Sequence, residues 1–263
     1  MKNHFNYIDI LKYRYNFSNK FMDVNSERNW FRRKLKEIGD SKRAVGEKKY
    51  LKSPWKFYGV SVPIRHKIVR EWFKKHQLLQ MDEAEKLAEN LWNSVWHEEK
   101  SLAIEILQLV GYKLTTEQMP LVEKMINEVT GWDHLDEIAI IVVGKMIDND
   151  KATLKYLPKW AKSKNFWVRR AAILSQILQF RRKAGNKKLF FEIIMPMFDE
   201  GMHWSKEERF FIRKAIGWAI REIANVEPEV AFKFIKLYKN KMSGLTFREA
   251  SRNLPENYQK LLV

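Results

Sequence analysis

An all-α solenoid of antiparallel helical repeats is the fold that this 263-residue sequence predicts. Three observations predict it. Apolar residues recur at three-to-four spacing along nearly the whole chain. Alternating β-branched runs bounded by turn dipeptides do not appear, and the helical segments recur at a roughly fixed period.

The first stripe is Leu102, Ile106, Leu109 and Val110, and Ile138, Ile141, Val142 and Lys145 form the second. Ile173, Leu174, Ile177 and Leu178 make the third, and Ile212, Ala215, Ile216 and Ala219 the fourth. Between them fall breaks: Gly111 before Thr115 and Thr116, then Asp148-Asn149-Asp150, Gly185-Asn186, Glu227-Pro228 and Ser243-Gly244, with Pro158 at an early helical position or a bend. Short helices joined by short turns pack as antiparallel neighbours. Segments Glu98–Leu109, Leu135–Val143, Val168–Leu178 and Arg209–Ile220 read as equivalent second helices of successive pairs. Their matching positions Leu102, Ile138, Ile173 and Ala215 are 36, 35 and 42 residues apart. Helical-pair arrays repeat every ~35–47 residues, and a degenerate HEAT-like stack fits these gaps better than a tetratricopeptide one. The inner helices of such a stack line a long concave surface. No linker rich in Gly, Pro or Ser divides the chain, so residues 1–263 read as a single repeat domain, with residues 1–45 a capping extension. The basic cluster Arg32, Arg33, Lys34 and Lys36 in that extension is either a solvated face or a nucleic-acid contact.

Charge narrows the partner. The chain carries 49 Lys plus Arg against 32 Asp plus Glu, a net +17, on a composition 45% hydrophobic and therefore rich enough for a core. Such an excess predicts a polyanionic partner, nucleic acid or an anionic membrane surface. Met1–Phe17 mixes Lys2, Asp9, Lys12 and Arg14 among its apolar residues, unlike a signal peptide. The longest apolar stretch, Ile138–Val143, is far short of the ~20 residues that span a bilayer. The expectation is a soluble cytoplasmic protein, nucleoid-associated when bound to DNA.

Several chemistries find no support. Without cysteine, disulfides, thiolate zinc sites and cysteine nucleophiles are excluded. Gly144-Lys145 lacks the remainder of a phosphate-binding loop, and no serine nucleophile elbow is visible. His97-Glu98-Glu99 is followed by Ser101 where a zinc motif needs a second histidine. The histidines His4, His66, His76, His97, His134 and His203 are scattered, and most read as surface or capping residues. No metal, cofactor or nucleotide is expected.

What stands out lies on three inner helices. The first begins Gly131-Trp132-Asp133-His134-Leu135-Asp136, and its Trp132 and Asp136 share one helical face. The second begins Asn165-Phe166-Trp167-Val168-Arg169-Arg170, with Trp167 read as core. The third contains Phe211-Ile212-Arg213-Lys214-Ala215-Ile216-Gly217-Trp218. Asp133 reads first as an acid complementing its helix dipole. An acid on the groove face of a polyanion binder would repel its ligand, so a carboxylate there argues for a chemical role.

Together these segments resemble the AlkC/AlkD family of DNA alkylation repair glycosylases. The resemblance rests on the order Trp-Asp-x-x-Asp (Trp132 to Asp136), Asn-x-Trp-x-x-Arg-x-Ala-Ile-Leu (Asn165 to Leu174), Lys-Ala-Ile-Gly-Trp-x-x-Arg-Glu (Lys214 to Glu222) and Ser-x-x-x-x-Arg-Glu-Ala (Ser243 to Ala250). Upstream, Tyr50-Leu51-Lys52, Phe57-Tyr58-Gly59-Val60, Pro63-x-Arg65 and the run from Leu91-Trp92 to Leu107 continue it. It covers about Tyr50 to Ala250, and residues 1–45 fall outside it.

The resemblance implies a HEAT-like superhelix that excises cationic N3- and N7-alkylated purines from double-stranded DNA without needing to flip the lesion into a pocket. By position, Asp136 resembles the catalytic carboxylate, and Trp132 and Trp218 the tryptophans that flank the lesion's sugar. Arg170 resembles the groove arginine, with Arg169 beside it as an additional cation. Tyr50, Lys52 and Lys214 complete the expected DNA contacts. A monofunctional glycosylase acting as a monomer, without cofactor, membrane or obligate protein partner, is the expectation. The alternatives are a non-catalytic HEAT-like protein for bent, branched or damaged DNA, and a solenoid for an acidic protein. Asp136 favours the enzyme over the first, and steep salt dependence would separate DNA binding from the second.

Overall fold

The computed structural model describes residues 22–200 and 203–262. Residues 1–21 of the expected capping extension, and His4 with them, lie outside the described residues. The described residues form helices and no strand, with one isolated backbone bridge between Lys56 and Trp96. None of these helices is long and apolar enough to cross a membrane.

The opening helices are α1 (Val24–Ile38), α2 (Ser41–Leu51) and α3 (Val62–Phe73). A two-layer stack follows. Its outer layer holds α4 (Met81–Trp92), α6 (Met119–Glu128), α9 (Leu157–Ala161), α12 (Lys187–Glu200) and α14 (Pro228–Tyr238). Its inner layer holds α5 (His97–Leu109), α7 (Trp132–Glu137) with α8 (Gly144–Asn149), α10 (Phe166–Leu174) with α11 (Ile177–Phe180), α13 (Lys206–Ala224) and α15 (Gly244–Ser251). The short α16 (Glu256–Lys260) closes the described chain. The expected helical-repeat solenoid is therefore the fold, and the four predicted stripes lie on its inner helices.

Two inner helices depart from the single straight helices that the sequence predicts. Between α7 and α8, Ile138–Val143 is π-helical. The run Ile140-Ile141-Val142-Val143 is β-branched at every position, which crowds an α-helical turn, and a wider turn relieves it. The predicted helix Val168–Leu178 breaks after Leu174, where the Ser175 hydroxyl donates to the Ala171 carbonyl at 2.6 Å. Such back-bonding competes with the helical ladder and bends it.

Neighbouring repeats are stitched by polar bonds that each span about one period. Trp92 Nε1 donates to Glu128 and Trp160 Nε1 to Glu123, 36 and 37 residues apart. Gln179 donates to the Gly144 carbonyl at 2.7 Å, 35 residues away. These bonds satisfy polar atoms that packing would otherwise strand, and they set the register of one pair on the next.

The N-terminal helices join the same body. Phe31 and Leu35 of α1 are fully buried in the core. Arg32, with Arg28 and the Tyr58 hydroxyl, donates to the buried carboxylate of Glu99 on α5. Arg32 is thus an interior ion-pair partner, whereas Arg33 and Lys36 are exposed and Lys34 sits 3.5 Å from Glu71. Next to it, Glu98 accepts from the backbone N–H groups of Tyr58, Gly59 and Val60 at 2.7–3.1 Å. Gly59 has φ +80°, and a Cβ there would fall 2.0 Å from the Asp40 carbonyl. Only glycine allows that approach, which seats the start of α2.

Inner helices α13 and α15 also meet closely. A Cβ on Gly217 would lie 2.5 Å from the Glu249 Cβ and 2.9 Å from the Thr246 carbonyl. We expect Gly217→Ala to destabilise the chain by about 1–3 kcal/mol through overpacking. Urea unfolding would show it as a lower midpoint at unchanged slope.

Candidate functional site

Helix register decides what the concave surface displays. On α13, Ile212, Ile216, Ile220 and Ile223 are buried. Lys214 and Trp218 lie on the opposite arc, where Lys214 is exposed and Trp218 half-buried. On α7 and α10 the equivalent positions are Asp136 and Arg170, each two residues from a buried apolar one (Ile138 and Val168). The solenoid thereby brings Asp136, Arg170, Lys214 and Trp218 onto three successive inner helices.

Asp136 and Arg170 form a bidentate pair. Arg170 Nε donates to Asp136 Oδ1 and Nη2 to Oδ2, both at 2.8 Å, with side chains only 4% and 14% exposed. The third donor, Arg170 Nη1, reaches the Phe211 carbonyl of α13 at 2.6 Å. One guanidinium therefore ties three repeats together. Burial pushes the Asp136 carboxyl above its ordinary pKa, while Arg170 pulls it back. Each carboxylate oxygen accepts one bond from Arg170 and keeps further acceptor capacity.

Trp132, one turn before Asp136, is 37% exposed. It meets Tyr50 edge-on at 6.4 Å, which brings the end of α2 beside the site. No residue of α2 is buried, and Lys48, Lys49 and Tyr50 near its end are exposed, as is Lys52 just beyond it.

Behind this front runs a second network that sequence reasoning missed. Asp133 accepts from or shares a proton with His97 Nε2 at 2.6 Å. The His97 ring is stacked between Phe57 at 4.3 Å and His134 at 4.2 Å. His134 Nε2 lies 2.9 Å from Ser101 Oγ, which donates onward to the His97 carbonyl. The ligand atoms of His97, Asp133 and His134 lie within 4.8 Å of one another. Both imidazole planes are stacked within 23°, however, so their in-plane lone pairs do not converge as a tetrahedral metal requires. The cluster is a hydrogen-bond chain that holds the first turn of α7, and with it Trp132 and Asp136. The signal available in the sequence was the spacing: His97–Asp133 and Asp136–Arg170 are 36 and 34 residues apart, one repeat each.

Arg169 is not brought to the groove with the others. Its guanidinium donates to the Ser163 and Lys164 carbonyls and to Glu208, stacks 4.8 Å from the Trp204 ring, and is buried. The sequence reading places it at the phosphates, but the Ser163 and Lys164 carbonyls and Glu208 take its Nη1 and Nη2 donors. Trp167 is buried, as expected. Lys100 is the lysine that its surroundings single out. It is buried with Nζ 4.2 and 4.7 Å from the Trp55 and Trp92 rings, and burial pushes its pKa down to about 8. It donates to the Trp92 carbonyl at 2.5 Å, sealed from any substrate.

The histidine network has a consequence for acid stability. Burial holds His134 neutral, with its pKa pushed down to about 3 from 6.5. Burial opposes ionisation of Asp133, yet the bond from His97 prevails and takes its pKa to about 2. Below pH 6.5 the unfolded chain binds a proton that folded His134 refuses. Stability should fall as pH drops, by up to about 1.4 kcal/mol per pH unit for that one proton, and Asp133 adds to the loss below its unfolded value. Urea midpoints from pH 7 to 4.5 should therefore decline, and less steeply in His134→Gln.

The family model described as DNA alkylation repair enzyme matches residues 31–254. No curated protein matches the chain. Among solved structures, the predicted DNA alkylation repair enzyme from Enterococcus faecalis is 22% identical, covering 83% of this chain and 97% of its own at a TM-score of 0.68. AlkD2 from Streptococcus mutans is 18% identical, covering 70% and 87%, at a TM-score of 0.52. These likenesses place the fold, and the family match reaches past the start of the resemblance at Tyr50 into α1. On that match over most of its length, the chain belongs to the DNA alkylation repair enzyme family.

Proposed function

We propose that the chain is a DNA glycosylase that hydrolyses the N-glycosidic bond of cationic N3- or N7-alkylated purines in duplex DNA. The observation that carries this reading is the shielded Asp136–Arg170 pair of a DNA alkylation repair protein, with Trp132 one turn before Asp136 and Trp218 on the next inner helix. The pair ties three repeats together, and its carboxylate keeps acceptor capacity beside the exposed Trp132, which fits a chemical role as well as a structural one.

An alkylated purine already carries a positive charge, so it leaves without a general acid. The bond from the anomeric carbon to the purine nitrogen breaks, and its electron pair neutralises the departing base. Positive charge then develops on the deoxyribose, and Asp136 stabilises it. Water adds to the anomeric carbon and releases a proton, with the free acceptor positions of Asp136 orienting it. Trp132 and Trp218 present indole faces to the charged sugar, each contributing about 0.5–2 kcal/mol. Arg170 serves chiefly to hold Asp136. The exposed cations Lys48, Lys49, Lys52 and Lys214, with Tyr50, grip the DNA backbone and need no base contact to do so. The reaction calls for no cofactor or second subunit.

Asp136→Asn keeps the side-chain shape but leaves the buried Arg170 without an anionic partner, so its urea midpoint is read beside its activity. Release of 3-methyladenine and 7-methylguanine from methylated duplex should fall about 100- to 1000-fold, with DNA affinity nearly unchanged. Release of neither base by the natural protein, with tight binding retained, would establish the non-catalytic reading instead.

Affinity for undamaged duplex should drop steeply with salt. Lys52→Ala and Lys214→Ala should each lower the magnitude of the log–log slope by about 0.9, the value for one lost phosphate contact. Slopes that do not respond would remove these lysines from the interface.

A further inference from the structure

Trp218 and Glu222 sit one turn apart on α13, and the indole N–H donates to Glu222 Oε1 at 2.6 Å. The carboxylate is itself clamped by Arg181 of the preceding repeat, through Nε to Oε2 at 3.0 Å and Nη2 to Oε1 at 3.1 Å. Glu222 is 11% exposed and Arg181 44%.

Other tryptophans here also donate to carboxylates. Trp72 bonds Glu27, Trp92 bonds Glu128 and Trp160 bonds Glu123. Those three indoles are buried, and a buried N–H needs an acceptor to offset the loss of water. Trp218 is different: it is only partly buried on the groove arc, and its carboxylate, alone among these four, is paired with an arginine. Trp132, the other groove indole, has no protein acceptor for its N–H among the described residues. Burial alone therefore does not account for an ionised partner at Trp218.

Electrostatics does. An indole that donates to an anion is polarised, and electron density shifts from the N–H edge into the ring. The ring face attracts cations through that density. Arg181 keeps the carboxylate ionised and cancels its net charge, so a groove that must receive phosphates gains a stronger cation acceptor without gaining a repulsive charge. Burial opposes ionisation of Glu222, and the bonds from Arg181 and Trp218 more than compensate, leaving its pKa below the usual range.

We propose that Glu222 is a positioning residue that fixes the Trp218 indole and tunes its face toward a cationic sugar or base, so that this side of the site selects for positive charge. The proposal rests on the glycosylase reading for the identity of the cation.

The test uses two duplexes with the same sequence, one holding a neutral tetrahydrofuran abasic analogue and the other a cationic pyrrolidine analogue. The natural protein should prefer the cationic duplex. Glu222→Gln, which keeps an acceptor but removes the charge, should weaken cationic binding by about three- to tenfold and leave neutral binding unchanged. Trp218→Phe should lose a similar factor, and the double variant should lose no more than either single one, because both act through one ring. Equal loss on both duplexes, additive losses in the double variant, or no preference in the natural protein would each overturn the proposal. Arg181 is well solvated, so Glu222→Gln strands no buried cation, and its urea midpoint reports any loss of fold separately. Base release is measured in parallel: a natural protein that prefers the cationic duplex yet releases no base keeps this inference and sinks the glycosylase reading.

Discussion

A single guanidinium holds the centre of the concave face together. Arg170 spends two donors on Asp136 of the preceding inner helix and one on the Phe211 carbonyl of the next. A buried arginine with a missing partner is strongly destabilising, by ~3–5 kcal/mol in comparable pairs. The three helices are therefore held at the one separation that satisfies all three bonds. That separation fixes where Asp136, Lys214 and Trp218 stand relative to one another. The ion pair is the mortar of three repeats.

The same economy recurs along the stack. Carboxylates on inner helices are neutralised from the adjacent repeat: Glu99 by Arg28 and Arg32, Asp148 by Arg182, Glu222 by Arg181. Each pair removes negative charge that would oppose phosphates, while lysines such as Lys48, Lys49 and Lys214 remain exposed. A net charge of +17 thus describes the surface less well than the pairing does, since many arginines are structural and the free cations are mostly lysines. This division follows the chemistry of the two side chains. The planar arginine fork suits bidentate interior pairs, and the strongly hydrated ammonium of lysine stays in water.

Much of the fold was legible in the sequence because helical periodicity and punctuation are local. The stripes on α5, on Ile138–Val143 before α8, on α10 with α11 and on α13, the early helical Pro158, the breaks at Glu227-Pro228 and Ser243-Gly244, and the spacing of 35–42 residues depend only on neighbours within a few turns. Two local features escaped. The π turn at Ile138–Val143 and the bend at Ser175 arise where β-branched crowding and a side-chain hydroxyl compete with the ladder, contests that apolar periodicity does not register.

The sequence by itself determined the helical-repeat class, the basic character and the three segments around Trp132–Asp136, Asn165–Leu174 and Lys214–Glu222. Tertiary structure decided which cations face inward. Adjacent residues Arg169 and Arg170 are chemically alike and separated in the sequence only by the family resemblance, yet a rotation of about 100° along the helix sends one into Glu208 and Trp204 and the other into Asp136. His97, read as one scattered histidine among six, became the partner of Asp133 only because the solenoid lays residues one period apart side by side. Side-chain chemistry is written in the sequence, but the partner that gives each group its charge state lies a full repeat away, and only the packing of one helix pair on the next selects it.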